Sequence, residues 1–192
     1  MTTYILHGGA TSTNNKQNDL FFQQFTSHID KDEVKILLCY WARSKEERPK
    51  ILERDKESIL KNSKKKVIFE VAKDVDDLFL KLKTCDVLYV VGGDPELIEP
   101  YYKHLDGLKE TLDGKVYLGS SMGAFLASTS YVVSSSKYKR DFVQSGVGLL
   151  PIQLLCHWDL EKKKIIKRDL LLKNSKLPIL TLNEFEFVEI YQ

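Results

Sequence analysis

Ser121 sits in VYLGSSMGAFLAS, residues 116–128, where an apolar run ends in two serines set among glycines. A hydroxyl in that setting can perform acyl transfer if an imidazole takes its proton and N–H groups hold the oxyanion. Gly119, Ser121 and Gly123 form G-x-S-x-G. This is the spacing of a nucleophile elbow, a strained strand-to-helix turn in which the residues two away from the serine must be small. The N–H of Met122, at the start of the following helix, then faces the serine oxygen. Ser120 is the competing hydroxyl and lacks symmetric glycine flanks. A tight turn without chemistry would account for the same five residues. Position favours chemistry, because active sites of open parallel sheets lie at the strands' carboxyl ends.

A second glycine turn supports this placement. VLYVVGGDPELI runs a buried strand into Gly92-Gly93, then opens a helix with Asp94 as N-cap and Pro95 at its first position. The capping residues need no function. The paired glycines suit either a plain turn or close approach of a substrate, with the Gly93 N–H as a second oxyanion donor.

Four histidines could supply the base. His28 near a helix end and His104 in a charged context read as exposed surface. His7 follows the first strand in ILHGGAT and could line the same cleft. His157 closes LPIQLLCHWDL, where a packed core histidine is the ordinary reading. The adjacent acid and the upstream elbow turn the choice toward His157 as base.

These residues need a scaffold, and the apolar pattern supplies one. TYIL, VKILLCYW (34–41), VIFEVA (67–72), DVLYVVGG (86–93) and KVYLGS (115–120) read as buried strands. Between them QNDLFFQQFTSHI, EERPKILERDKESILKNS and DVDDLFLKLKTC carry helical spacing. Strands alternating with helices predict a parallel sheet covered on both faces. The serine-rich STSYVVSSSKYKRDFVQSG reads as loop, and a lysine-rich amphipathic helix is expected near 160–173. KLPILTLNEFEFVEIYQ is expected to close the chain as a β-hairpin turning at Asn183-Glu184. No repeat or linker divides the 192 residues, so residues 1–192 are expected to form one domain.

Composition narrows the partners. A formal charge of +2 is too small to argue for nucleic acid, and the short lysine clusters read as solvated faces. No run approaches the roughly 20 apolar residues of a membrane span. MTTYILHGG lacks the pattern of a secretory signal. Cys39, Cys85 and Cys156 are odd in number and dispersed, as expected of buried free thiols in a reducing cytoplasm. No Cys/His spacing suggests zinc, so neither metal nor cofactor is expected.

VVGGD, LGSSMGAF and GVGLLPIQLLCHW, in this order, together resemble the peptidase E and cyanophycinase family of serine peptidases. The closing ILTLNEFEFVEI is similar to that family's final hairpin. The resemblance runs from about residue 84 to the end and more loosely over the first strand. It implies a fold like that of class I glutamine amidotransferases, flavodoxin-like, with Ser121 as nucleophile and His157 as general base. Gly93 and Met122 would form the oxyanion hole. Members with known activity act at aspartyl residues, as dipeptidases or as exopeptidases on cyanophycin, without metal or cofactor. Small peptides, Asp-containing dipeptides among them, are therefore the expected substrates. Lys137, Lys139 and Arg140 offer an acidic P1 side chain a cationic pocket, although a charged surface loop is the simpler reading.

The chain departs from the family at three points. Met122 follows the serine where alanine is common, a larger group expected to narrow the pocket. Leu155-Cys156 replaces an Asn-Pro pair before the histidine. Ser135 and Ser136 stand where the family's triad carboxylate is usual. Three acids could substitute. Asp159, two residues beyond His157, shares its face on an extended chain and ranks first. Asp141 ranks second, and Glu184 reads as structural. Loss of the orienting acid can cost about 10⁴ in turnover. The alternative reading is thus an inactive relative that binds a small ligand or a protein partner in the same cleft. A glutamine amidotransferase would carry cysteine at the elbow, and a nucleotide binder would need the phosphate-loop spacing that HGGATST lacks.

Overall fold

The computed structural model describes residues 1–133, 142–160 and 162–192. Ser135, Ser136, Lys137, Lys139, Arg140 and Asp141 lie outside that set.

The chain through Ser120 alternates as its apolar pattern requires. Strands β1 (Thr3–His7), β2 (Glu33–Cys39), β3 (Lys66–Val71), β4 (Val87–Val90) and β5 (Val116–Ser120) are separated by α1 (Lys16–Ser27), α2 (Arg48–Asn62), α3 (Val75–Leu82), α4 (Pro95–Tyr102) and α5 (Leu108–Thr111). Side-chain oxygens of Asn15, Asp74 and Asp94 cap α1, α3 and α4, accepting from Asn18, Asp77 and Glu96 N–H groups. Beyond β5 come α6 (Met122–Ala127), β6 (Ser130–Tyr131), β7 (Gln144–Ser145), β8 (Gln153–Leu155), α7 (Lys164–Asn174), β9 (Ile179–Thr181) and β10 (Phe187–Tyr191).

Two sheets result. The larger is six-stranded in the order β10-β1-β5-β4-β2-β3, parallel except for β10 at its edge. Successive side chains of its strands go to opposite faces. Ile5, Ile36, Leu38, Tyr89 and Leu118 pack with Phe21, Phe22 and Phe25 of α1 and Ile51 and Ile59 of α2. Tyr4, Leu6, Leu37, Leu88, Val90 and Tyr117 pack on the other face with Leu78, Ile98, Leu108 and Phe125 from α3 to α6.

The smaller sheet has four strands, β7-β6-β8-β9, with β6, β8 and β9 parallel. Its strands β6 and β7 come from the stretch that reads as loop, because two-residue strands leave no periodicity to detect. The closing strands also differ from the expected hairpin. They do not pair with each other: β9 lies parallel to β8 in the small sheet, whereas β10 lies antiparallel to β1 in the large one. The turn at 183–186 therefore joins two sheets. Among the described residues no helix is long and apolar enough to cross a membrane.

Candidate active site

The elbow forms as its glycines allow. Ser121 follows β5 with φ 50° and ψ −108°, a conformation that costs a non-glycine residue energy and needs outside support. Its N–H donates to the His7 carbonyl at 2.9 Å, and its carbonyl accepts from Phe125 N–H at 2.9 Å. A Cβ on Gly123 would stand 2.0 Å from the Val90 carbonyl oxygen, and one on Gly119 would stand 2.5 Å from the Gly123 backbone. Both positions flanking the serine therefore exclude any side chain. The buried Tyr117 hydroxyl donates to the Gly123 carbonyl at 2.5 Å, pinning the start of α6 from inside.

His157 arrives from the other sheet, two residues beyond β8. Its Nε2 lies 2.9 Å from Ser121 Oγ, and its Nδ1 lies 2.9 Å from Glu184 Oε1. A carboxylate only accepts, so Nδ1 carries the ring proton and Nε2 is free to accept from the serine hydroxyl. The ring is 29% exposed and the carboxylate 20%, and Ser121 is partly exposed as well, so the relay is half-buried along its length.

The acid beside the ring is Glu184, not Asp159. After His157, itself at φ 54°, the chain winds into a 3-10 turn over Trp158–Leu160. The two-residue spacing thus no longer means a shared face. Asp159 Oδ1 instead accepts the backbone N–H of Glu184 at 2.9 Å, fixing the segment that brings the carboxylate in.

Met122 also differs from expectation. Its side chain is 2% exposed and packs into the core with Ala124 and Phe125, so it does not narrow the cleft. Its N–H opens α6, where the first turn leaves donors without intrahelical acceptors. Across the serine, the Gly92 N–H donates to Ser120 Oγ at 3.1 Å and the Asp94 N–H to the Ala42 carbonyl at 2.7 Å, which holds the Gly93 turn between two anchors. Ser120 thereby has a structural role, buried under the turn. The three cysteines are free and buried, and burial pushes Cys39 to about 12 and Cys85 to about 11, which keeps both thiols protonated.

Two contributors escape linear reading. Arg43, just beyond β2, lays its side chain against Gly93, and its buried Nε has no hydrogen-bond partner among the described residues. Gly9, at φ 138°, faces the His157 ring so closely that a Cβ there would stand 2.1 Å from Cε1. Neither contact follows a local pattern. The glycines of ILHGG were the only available signal.

An α/β protein with a strained serine at a strand end, an imidazole on its hydroxyl and a carboxylate behind the ring has the layout of an acyl-transfer hydrolase. The chain belongs to peptidase family S51, whose model matches residues 4–192. Two solved structures share the fold. One is a candidate peptidase E from Listeria monocytogenes EGD-e, 19% identical, with a TM-score of 0.65 over 99% of this chain and 94% of that one. The other is a peptidase from an acI-B1 actinobacterium, 18% identical, with a TM-score of 0.68 over 98% of this chain and 83% of that one. A search of curated proteins finds no match.

Proposed function

We propose that this chain is a serine peptidase acting on small peptides, with Ser121 as nucleophile, His157 as general base and Glu184 as the orienting acid. The observation that carries the reading is the unbroken relay from Ser121 Oγ through His157 to Glu184, with 2.9 Å at each step. Membership of peptidase family S51 agrees with it.

In the acylation step His157 Nε2 takes the hydroxyl proton as Ser121 Oγ bonds to the scissile carbonyl carbon. The carbonyl oxygen becomes an oxyanion, for which the N–H groups of Met122 and Gly93 are the donors. Glu184 stabilises the imidazolium that forms and keeps the ring in the productive tautomer. The C–N bond then breaks, and the imidazolium returns its proton to the leaving amine. A water molecule, deprotonated by the same ring, then attacks the acyl carbon, the bond to Ser121 Oγ breaks, and the ring returns its proton to Oγ as the acid is released.

Asp-containing dipeptides are the substrates to which the family resemblance points. Arg43 supports an anionic group beside the scissile bond, because its guanidinium flanks the turn assigned to the oxyanion. The reading as an inactive binder is motivated by a missing triad carboxylate and by Leu155-Cys156 in place of an Asn-Pro pair, and Glu184 beside the ring speaks against the first of these.

A dipeptide panel tests the proposal. Turnover is expected for the wild type and none above background for His157→Ala. Acidic dipeptides should lead the panel, and Arg43→Ala should erase their advantage while sparing neutral ones. Ligand-induced thermal stabilisation without any turnover would favour the binder instead.

A further inference from the structure

His7 takes no part in the relay, yet it is buried at 0% exposure directly beneath it. Both its ring nitrogens are committed. Nδ1 accepts the Gly9 N–H at 3.0 Å, which leaves the proton on Nε2 to donate to Asn18 Oδ1 at 3.0 Å. Asn18, 2% exposed, uses its amide hydrogens on the carbonyls of Ala10 at 2.9 Å and Thr13 at 2.6 Å. One pair of side chains thus fastens the turn after β1 to helix α1. With neither nitrogen facing the cleft, His7 is not a second base.

The fastened turn reaches every part of the site. The His7 carbonyl accepts from Ser121 N–H at 2.9 Å, the Gly8 carbonyl from His157 N–H at 3.2 Å, and the Gly9 carbonyl from Phe185 N–H at 3.3 Å, next to Glu184. Three consecutive carbonyls therefore hold the segments that carry the nucleophile, the base and the acid. Gly9 also backs the imidazole ring. The non-glycine residues with positive φ among the described residues are Ala10, Ser121, His157 and Phe185, each within this assembly. Strained residues persist only where their surroundings over-determine them. A Gly-Gly turn has more freedom to lose than any other pair.

We infer that His7, with Asn18, is a positioning residue that sets the alignment of Ser121, His157 and Glu184 through the turn at Gly8–Ala10. This rests on the proposed nucleophile and base. A buried pair that merely satisfies its own polar atoms would change stability and leave alignment untouched.

Two substitutions separate these roles in the full chain. His7→Asn offers a carbonyl oxygen near the position of Nδ1 and can still accept from Gly9, whereas His7→Leu cannot. With the best dipeptide of the panel, His7→Leu is expected to lower kcat by about 10²-fold, the effect of misplacing a reacting group by about 1 Å. KM should stay within about twofold, since substrate contacts are intact. His7→Asn should recover most of the rate. Should His7→Leu not fold, Asn18→Ala, which frees Ala10 and Thr13, is expected to lower kcat in the same direction with KM again unchanged.

A second measurement needs no substrate. The His157 Nδ1–H proton, assigned by its loss in His157→Gln, is expected as a protected downfield resonance in the wild type and in His7→Asn. In His7→Leu or Asn18→Ala it should broaden through exchange with water. Folded variants that keep both kcat and this resonance would overturn the inference, as would equal losses in His7→Asn and His7→Leu. A wild type that turns over no peptide would defeat the proposed activity, and the resonance would still decide the role of His7.

Discussion

Glu184 and Asp159 share one small neighbourhood but face different demands. Glu184 meets the imidazole directly, so its charge is what the imidazolium of the proposed reaction would require. Asp159 meets a backbone N–H, a task that needs only an acceptor oxygen. Glu184→Gln is therefore expected to lower kcat by about 10⁴-fold, the scale at which loss of the acid leaves a wrongly protonated ring. Asp159→Asn should stay close to wild type. Asp159→Ala should lose about tenfold, one hydrogen bond's worth of alignment. Steady-state kinetics on one dipeptide checks all three, and a larger loss from Asp159→Asn than from Glu184→Gln would reverse the assignment. The linear sequence pointed to Asp159 because two residues on extended chain share a face. The positive φ at His157 and the 3-10 turn beyond it break that rule, and neither has a signature in HWDL.

Among the elements, the turn after β1 makes the most exacting contact with the relay. Gly9 has both a backbone conformation costly to other residues and no room for a side chain. Gly9→Ala is expected to push the His157 ring away from Ser121 and reduce kcat by at least about 10²-fold. Gly107→Ala, where φ is also positive but nothing lies within 4 Å, supplies the control for backbone strain alone and should retain activity. The strands of the large sheet were legible because buried parallel strands are continuous apolar runs. The partners of β9 and β10 were not. Asn183-Glu184 between two apolar stretches has the local chemistry of a hairpin turn, and only contacts with β8 and β1, distant in sequence, send the strands to different sheets. The elbow could be recognised early because its demands are local: a strand, small residues at two positions and a helix. The third member of the relay depends on where two sheets meet.

For the molecule as a whole, the buried His7 couples folding to pH. Burial, followed by the nearby His157 charge, lowers its pKa from 6.5 to about 4, outweighing the hydrogen bond to Asn18 that raises it. Between those values the unfolded chain binds a proton that the folded one does not, so stability rises with pH across this window. The contribution is complete above pH 6.5 and is lost as pH falls through about 4, amounting to about 3 kcal/mol at 1.36 kcal/mol per unit. Urea denaturation at pH 7 and at pH 4.5 should show a smaller drop for His7→Asn than for the wild type. The comparison cancels contributions from groups common to both. Equal drops would mean that His7 is not held neutral by the fold.

The central claim is that the hydroxyl of Ser121 is made nucleophilic by His157 and Glu184. Intact-mass analysis after treatment with a phosphonofluoridate, a reagent specific for activated serine hydroxyls, tests it most directly. One adduct per chain is expected on the wild type, mapped to Ser121, with none on Ser121→Ala and markedly slower modification of Glu184→Gln. An unmodified wild type, or equal modification of Ser121→Ala, would contradict the account.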